Sequence, residues 1–459
     1  MQNTKTKDIL LAKIRNGEDM TLKEQTVLTA ILSIPAILAQ ISTVAMSYID
    51  TSMVGRLGAG PSASVGLIST STWIFGGFCM AATSGFSVQV AHLIGSNDFA
   101  KARRVLRQSI VCVLLFSLTL GLIGVGISGY LPHWLGGGDD ICGDSSAYFL
   151  IYASFLPMMQ MSYLGSAMLQ ASGNMKVPSI LNVSMCVMDV IFNYIFIYKC
   201  GMGVPGAALG TAMAEAITAC LMIGFLTTKS PELNLLQDKG SFMPTRLTIK
   251  NAFGITGPMW IQNIVMRGAY IMSTLIVAPL GNIAIAANSF AITAESFCYM
   301  PGYGIEEATT TLVGQSLGAR RKALAKKFSR ISISMGAIIM TILGMVMYFT
   351  AEWLMGLLST DPEVIALGAK CLHIEAFAET MYAVSMVAYG ACVGAGDTLM
   401  PSAMNLLSMW VVRIGLALIL TPMYGLVGYW IAMCVELNVR GILFLWRVRG
   451  EKWMKFTVA

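Results

Sequence analysis

The run VLTAILSIPAILAQISTVAMSYIDTSMVGRLG, residues 27–58, is apolar for some twenty residues before it meets Asp50. A helix of that length crosses the roughly 30 Å hydrocarbon layer of a membrane. Along it Gln40, Thr43, Ser47 and Asp50 follow at spacings of three, four and three, so all four share one helix face. Lipid penalises such a face, which must therefore point into protein or water. An acid that merely marks the outer end of the helix is the plainer reading. The apolar Met53 and Val54 that follow favour a helix continuing past it.

Composition agrees with a membrane setting. Only 12% of the 459 residues are charged, 56% are hydrophobic and the mean hydropathy is +0.69. Soluble domains carry about 25% charged residues. Apolar runs recur along the chain and predict twelve transmembrane helices. They lie near 27–55, 62–91, 106–131, 145–171, 178–198, 203–228, 250–279, 283–314, 329–350, 363–392, 400–422 and 425–447. Long runs without period-two alternation indicate an all-α membrane protein rather than a barrel. The first residues, MQNTKTKDILLAKIRNGEDM, have no apolar core with a cleavage site and do not read as a signal peptide. Thr21 and Glu24 have capping-box spacing just ahead of the first run.

Charge sets the expected orientation. Of the 30 basic residues, 25 fall in the N-terminus, alternate loops, the 6–7 linker and the C-terminal end. Three, Arg56, Lys199 and Lys370, fall on the other side, and Arg267 and Arg413 lie inside spans. The positive-inside rule then makes both termini cytoplasmic, in the plasma membrane. The net charge of +6 reports this topology and not nucleic-acid binding. Ten cysteines show no CxxC and no Cys/His cluster, so no metal or redox motif is indicated. Cys142 and Cys200 both fall near the outer face, which leaves a pairing open.

Organisation comes from an internal repeat at an offset of 223 residues. It pairs Pro35 with Pro258, Val54 with Val277, Leu57-Gly58 with Leu280-Gly281, Gly173 with Gly396, Pro178 with Pro401 and Asn182 with Asn405. The expected division is a segment 1–25, a six-helix lobe 26–228, a linker 229–249, a second six-helix lobe 250–447 and a tail 448–459. Two parallel halves suit an alternating-access transporter with substrate between them. Pro35 and Pro258, each inside the first helix of a repeat, are the candidate hinges.

A second polar stripe lies on the fifth span: Asn182, Cys186, Asp189 and Asn193 at spacings of four, three and four. Polar side chains can glue membrane helices together, but an unpaired carboxylate is far costlier to bury than an amide. The sixth span adds Thr211 and Glu215. Asp50, Asp189 and Asn193 fall on Ser273, Val412 and Leu416 in the repeat, so the acids belong to the first half alone. In the second half lie Arg267, Glu295, Glu306, Glu307, Glu375, Glu379 and Arg413. Arg267 could form a structural ion pair with one of the glutamates. Glu375 and Glu379 share a face of a continuous helix, and Glu295 with Tyr299 and Met300 could suit an organic cation. The roles of Glu306, Glu307, Glu375 and Arg413 stay open. Neither a nucleophile elbow nor a P-loop nor HExxH is present, which points away from an enzyme or an ATP-driven pump.

The stretches DTSMVGRLGA (50–59), LQASGNMKVP (169–178), LIVAPLGNIAIAANS (275–289) and MPGYGIEEATTTLVGQSLGA (300–319) resemble the multidrug and toxic compound extrusion family, the MATE transporters. The resemblance covers about residues 25–447. It implies secondary export of bulky, often cationic organic compounds by H⁺ or Na⁺ antiport. It further implies an ion-coupling set of Asp50, Asp189, Asn193 and Thr211, with Na⁺ possible at the first three. Gln40, Thr43, Ser47, Glu295, Glu379 and Arg267 are further substrate or coupling candidates.

Proton-coupled members resemble Asn-x-x-x-Asp at the fifth-helix pair, whereas here Asp189 precedes Asn193, which puts the ion-site geometry in doubt. Positions where sodium-coupled members carry acids are Met266 and Tyr382, with Glu379 one turn away, so H⁺ is favoured over Na⁺. No cofactor beyond the coupling ion, no nucleic-acid partner and a monomer in the lipid bilayer are expected. A lipid-linked oligosaccharide flippase of the same superfamily is the alternative, and a channel or membrane enzyme would need pore or catalytic residues not found here.

Overall fold

The computed structural model describes residues 2–454; Lys455 and the end of the expected tail lie outside the described residues. All regular elements among them are helical. The first half comprises α1 (Gln2–Asn16), α2 (Leu22–Gly55), α3 (Ala59–Gly95), α4 (Phe99–Ile127), the single turn α5 (Leu131–Trp134), α6 (Asp139–Ala171), α7 (Lys176–Asn193) and α8 (Val204–Thr228). The second comprises α9 (Arg246–Val277), α10 (Asn282–Gly318), α11 (Lys322–Leu358), α12 (Pro362–Glu375), α13 (Glu379–Gly394), α14 (Leu399–Leu407), α15 (Gly415–Tyr424) and α16 (Leu426–Arg449). Thr21 and Glu24 do form the capping box: Thr21 N–H donates to Glu24 Oε2 at 2.9 Å and Glu24 N–H to Thr21 Oγ1 at 3.2 Å.

Ten of the described helices, with α7 and α14–α15 each counted together with its π-helical segment, are long and apolar enough to cross a membrane, and the pair α12–α13 makes an eleventh. The expected tenth span is thus two helices, bent by 58° between Glu375 and Glu379, so these two glutamates do not share one continuous face. The expected fourth span, near 145–171, is α6, which is not among these eleven and whose polar residues Ser145, Gln160 and Ser162 are buried within its own half. There Gln160 Nε2 donates to Thr83 Oγ1 at 2.8 Å, so its polarity faces protein and not lipid. Outward-facing Leu122 and Phe349, 72% and 83% exposed, are the kind of surface that a bilayer covers. All ten cysteines are free, with Cys142 buried and Cys200 exposed, so the two do not pair.

Two compact units emerge: residues up to Gln40 together with Ile261 onward, and Ile41–Trp260. These differ from the expected lobes, because the division falls inside α2 and α9, shortly after Pro35 and Pro258. The reason is close backbone packing. A Cβ on Gly304 of α10 would lie 2.5 Å from the Ile37 nitrogen, so only glycine admits the start of α2 to the first unit. In the second unit Gly85 of α3 likewise admits the start of α9, where a Cβ would lie 2.6 Å from the Ala252 carbonyl oxygen. Thr256 Oγ1 donates to Ala81 O at 3.0 Å and Trp260 Nε1 to Phe78 O at 3.0 Å, fixing that segment.

The linker after α8 is held to α4 of its own unit. Arg103 Nε donates to Asp238 Oδ2 at 2.7 Å, Arg107 binds the other oxygen, and Gln108 Nε2 donates to Met243 O at 3.0 Å. Arg107 and Arg103 hold the Asp238 carboxyl below its ordinary value. Their contribution is therefore present above the unfolded value and lost only as pH falls through the lower folded one. Asp238→Ala is expected to speed tryptic cleavage of the intact protein at the exposed Lys239. Cleavage at the parent rate would show that the linker is held by something else.

Candidate ion-coupling site

Three helices of the second unit bring the first-half acids together. Asn193 ends α7, where the chain loosens into the π-helical segment Tyr194–Lys199, a local irregularity frequent at functional sites. Gly210 of α8 lets that helix approach so closely that a Cβ there would collide with the Asn193 amide oxygen. Asn193 Nδ2 donates to Asp50 Oδ1 at 2.9 Å and to Asp189 Oδ2 at 3.1 Å. One amide group thus bridges the two carboxylates. Asp189 and Asn193 are fully buried and Asp50 is half-buried.

Two acceptors remain unused. Asp189 Oδ1 and Asn193 Oδ1 are buried without a hydrogen-bond partner. Thr211 of α8 also interacts with the Asp189 carboxyl. Asp50 and Asp189 also act on each other directly, so the set can hold a proton on either acid, and Asp189 Oδ1 and Asn193 Oδ1 are its acceptors without a donor. The amide nitrogen between the carboxylates is a donor, however, and occupies the bridging place that a cation would need.

The polar face expected on α2 does not act as one. Gln40, in the first unit, donates from Nε2 to Glu307 Oε1 at 2.8 Å, whereas Asp50 lies in the second unit with Asn193. Thr43 and Ser47 are exposed. On α7, Cys186 donates to Ser42 O at 3.0 Å.

Beside Thr211 opens a cavity of about 100 Å³, lined by Thr72, Tyr148, Tyr152, Phe155, Thr211 and Glu215 among others. Tyr152 Oη donates to Thr72 O at 2.8 Å. Glu215 is 8% exposed and its Oε2 has no partner.

In the first unit Glu295, Glu375 and Glu379 are buried, and neither oxygen of Glu375 has a hydrogen-bond partner. Tyr299 packs against Tyr303 and Tyr382, with ring centroids 6.1 and 5.7 Å apart. Arg267 lies over the Tyr270 ring at 5.8 Å. A buried arginine–glutamate pair is formed by Arg413, whose Nη2 lies 2.8 Å from Glu436 Oε2, while Arg440 Nη2 lies 2.6 Å from Oε1 of the same carboxylate. Glu436 was not among the expected site residues, although its four-residue spacing from Arg440 in an apolar run was a signal. The aromatic lining from Tyr148 to Phe155 was missed as well, because aromatic residues in an apolar helix carry no pattern of their own.

The MatE family model matches residues 35–195 and again 258–419, two stretches whose starts are one repeat offset apart. The chain belongs to the MatE family. The probable multidrug resistance protein NorM of Mannheimia succiniciproducens is 26% identical over 453 residues, covering 95% of this chain and 96% of its own. The probable multidrug resistance protein NorM of Thermotoga maritima is 26% identical over 437 residues, 93% of each chain.

Among solved structures, the Vibrio cholerae MATE transporter VcmN in the bent form has a TM-score of 0.84 at 18% identity, over 95% of this chain and 98% of that one. A MOP superfamily transporter from Pyrococcus furiosus has a TM-score of 0.88 at 20% identity, over 97% and 99%. Both share the fold. This MatE chain is accordingly a multi-pass membrane transporter with a duplicated helical architecture, and not an enzyme.

Proposed function

We propose that this MatE chain exports bulky, often cationic organic compounds by cation antiport, with H⁺ favoured over Na⁺, through alternating access in the plasma membrane. The observation that carries the reading is the pair of carboxylates, Asp50 and Asp189, bridged by one Asn193 amide in the membrane-embedded part of one unit. An unpaired buried carboxylate is costly unless a proton or cation accompanies it. Taking up and releasing that partner changes the charge of the site, and binding must favour one conformation over another to drive transport. The relatives, probable multidrug resistance proteins, support the drug-export part of the reading.

Hinges at Pro35 and Pro258 are part of the proposal, since both lie inside continuous helices just ahead of the points where these helices pass from one compact unit to the other. The basic-residue bias supports cytoplasmic termini. The flippase alternative calls for a basic cavity to hold a pyrophosphate, whereas the cavity beside the acids is lined by Glu215 and no base.

Proteoliposomes containing the intact protein test this. A fluorescent cationic drug is expected to be exported under an imposed ΔpH, and much more slowly under an imposed Na⁺ gradient alone. Export driven by Na⁺ but not by ΔpH would overturn the choice of ion, and no export under either would overturn antiport.

A further inference from the structure

We propose that Glu215 and the cavity it shares with Thr211 form a proton-holding antechamber of the coupling site, from which a proton passes through water and the Thr211 hydroxyl to Asp189. The inference rests on the proton-coupled reading above. Glu215 lies four residues after Thr211 on α8, so both project from one face into the same cavity. At about 100 Å³ the cavity is roomy enough to hold water.

Its polar groups suit a relay and not a fixed hydrogen-bond network. Glu215 Oε2 is buried and unpartnered at one end, and Asp189 Oδ1 is buried and unpartnered beyond Thr211. Asp189 of α7 is the carboxylate that acts on Glu215, and Tyr152 and Tyr163 of α6 face it as well. Cys79 of α3 lies beside those two tyrosines. None of these groups is a base that would neutralise Glu215 as an ion pair. The Tyr152 hydroxyl is already committed to Thr72 O, so it leaves the cavity to water.

Proton balance is simple. A proton leaves the Glu215 carboxyl for a cavity water, the water passes a proton to the Thr211 oxygen, and the Thr211 hydroxyl gives its own to Asp189. Glu215 ends ionised and Asp189 neutral, and no other bond is made or broken. Glu215 then reloads from solvent.

Comparison of E215Q and E215D with the parent in proteoliposomes tests the relay, with drug concentration varied under a fixed ΔpH. E215Q is expected to lower kcat by about tenfold or more, as loss of a proton-transfer group does, while KM for the drug stays within about twofold. E215D, which keeps the carboxyl, is expected to recover most of the rate through water in the enlarged cavity. Proton release on drug binding, counted with a pH dye in weakly buffered detergent, is expected to slow in E215Q.

A raised KM with unchanged kcat would mean that Glu215 holds the cationic drug, and it overturns the relay. Parent-like kcat, KM and proton release overturn it too. A parent driven only by Na⁺ overturns this inference together with the choice of ion. A proton-coupled parent with an unaffected E215Q overturns the inference alone. Should E215Q not fold, E215A, which also lacks the carboxyl, carries the same test: a slowed kcat at constant KM supports the relay, and a raised KM or parent-like kcat overturns it.

Discussion

Asp50→Asn is expected to bring ΔpH-driven export down to the leak rate of empty vesicles, a loss on the order of 100-fold or more for removal of an essential proton-exchanging group. The variant keeps the shape of the site. Its amide oxygen can still accept from Asn193 Nδ2, as Asp50 Oδ1 does at 2.9 Å, but the side chain can no longer exchange charge. Folding should survive, because a neutral amide is easier to bury than a carboxylate. Drug binding in detergent is therefore expected to persist while coupled export disappears. Asp189→Asn should cause a similar loss, and the double variant should be no worse than either single one, since one bridged pair is disabled in each case. Losses that multiply would assign Asp189 to packing or to another step, and full export by Asp50→Asn would remove it from coupling altogether.

The sequence made these three residues legible for a physical reason. Helical spacing aligned Asp189 with Asn193, and the repeat exposed both acids as departures from a shared architecture. What spacing could not convey was where a helix changes company. Gln40 and Asp50 lie on one face of α2, yet Gln40 pairs with Glu307 in one compact unit and Asp50 with Asn193 in the other. That division depends on Gly304 and Gly85 admitting a neighbouring backbone, and glycines are too common in apolar helices to announce it.

The bend between Glu375 and Glu379 escaped for a similar reason. No proline lies at the break itself, and the run 363–392 is apolar enough between its few charged residues to read as one helix. The linker's attachment was hidden too, since Arg103 and Arg107 read equally well as topology signals and as partners of Asp238.

Glu436 shows the opposite failure, a charge hidden in plain view. It is fully buried, and its two oxygens serve Arg413 at 2.8 Å and Arg440 at 2.6 Å. Arg413 itself is 7% exposed. Replacing Glu436 by Gln keeps the volume but leaves two guanidinium groups facing one neutral amide. Removing one partner of a buried ion pair costs about 3–5 kcal/mol, because the remaining charge stays buried and uncompensated. We expect Glu436→Gln to lower the thermal unfolding midpoint of the detergent-solubilised protein more than any neutral substitution at Asp50 or Asp189. Arg413→Met combined with Glu436→Leu should recover part of that loss, since two well-packed apolar side chains can replace a buried pair at little cost. Arg440 is the weak point of this rescue: deprived of Glu436, it must turn its head group to solvent, and its 12% side-chain exposure indicates that a path exists. An unfolding midpoint for Glu436→Gln equal to that of the parent would show that water, and not Glu436, carries the charge of Arg413.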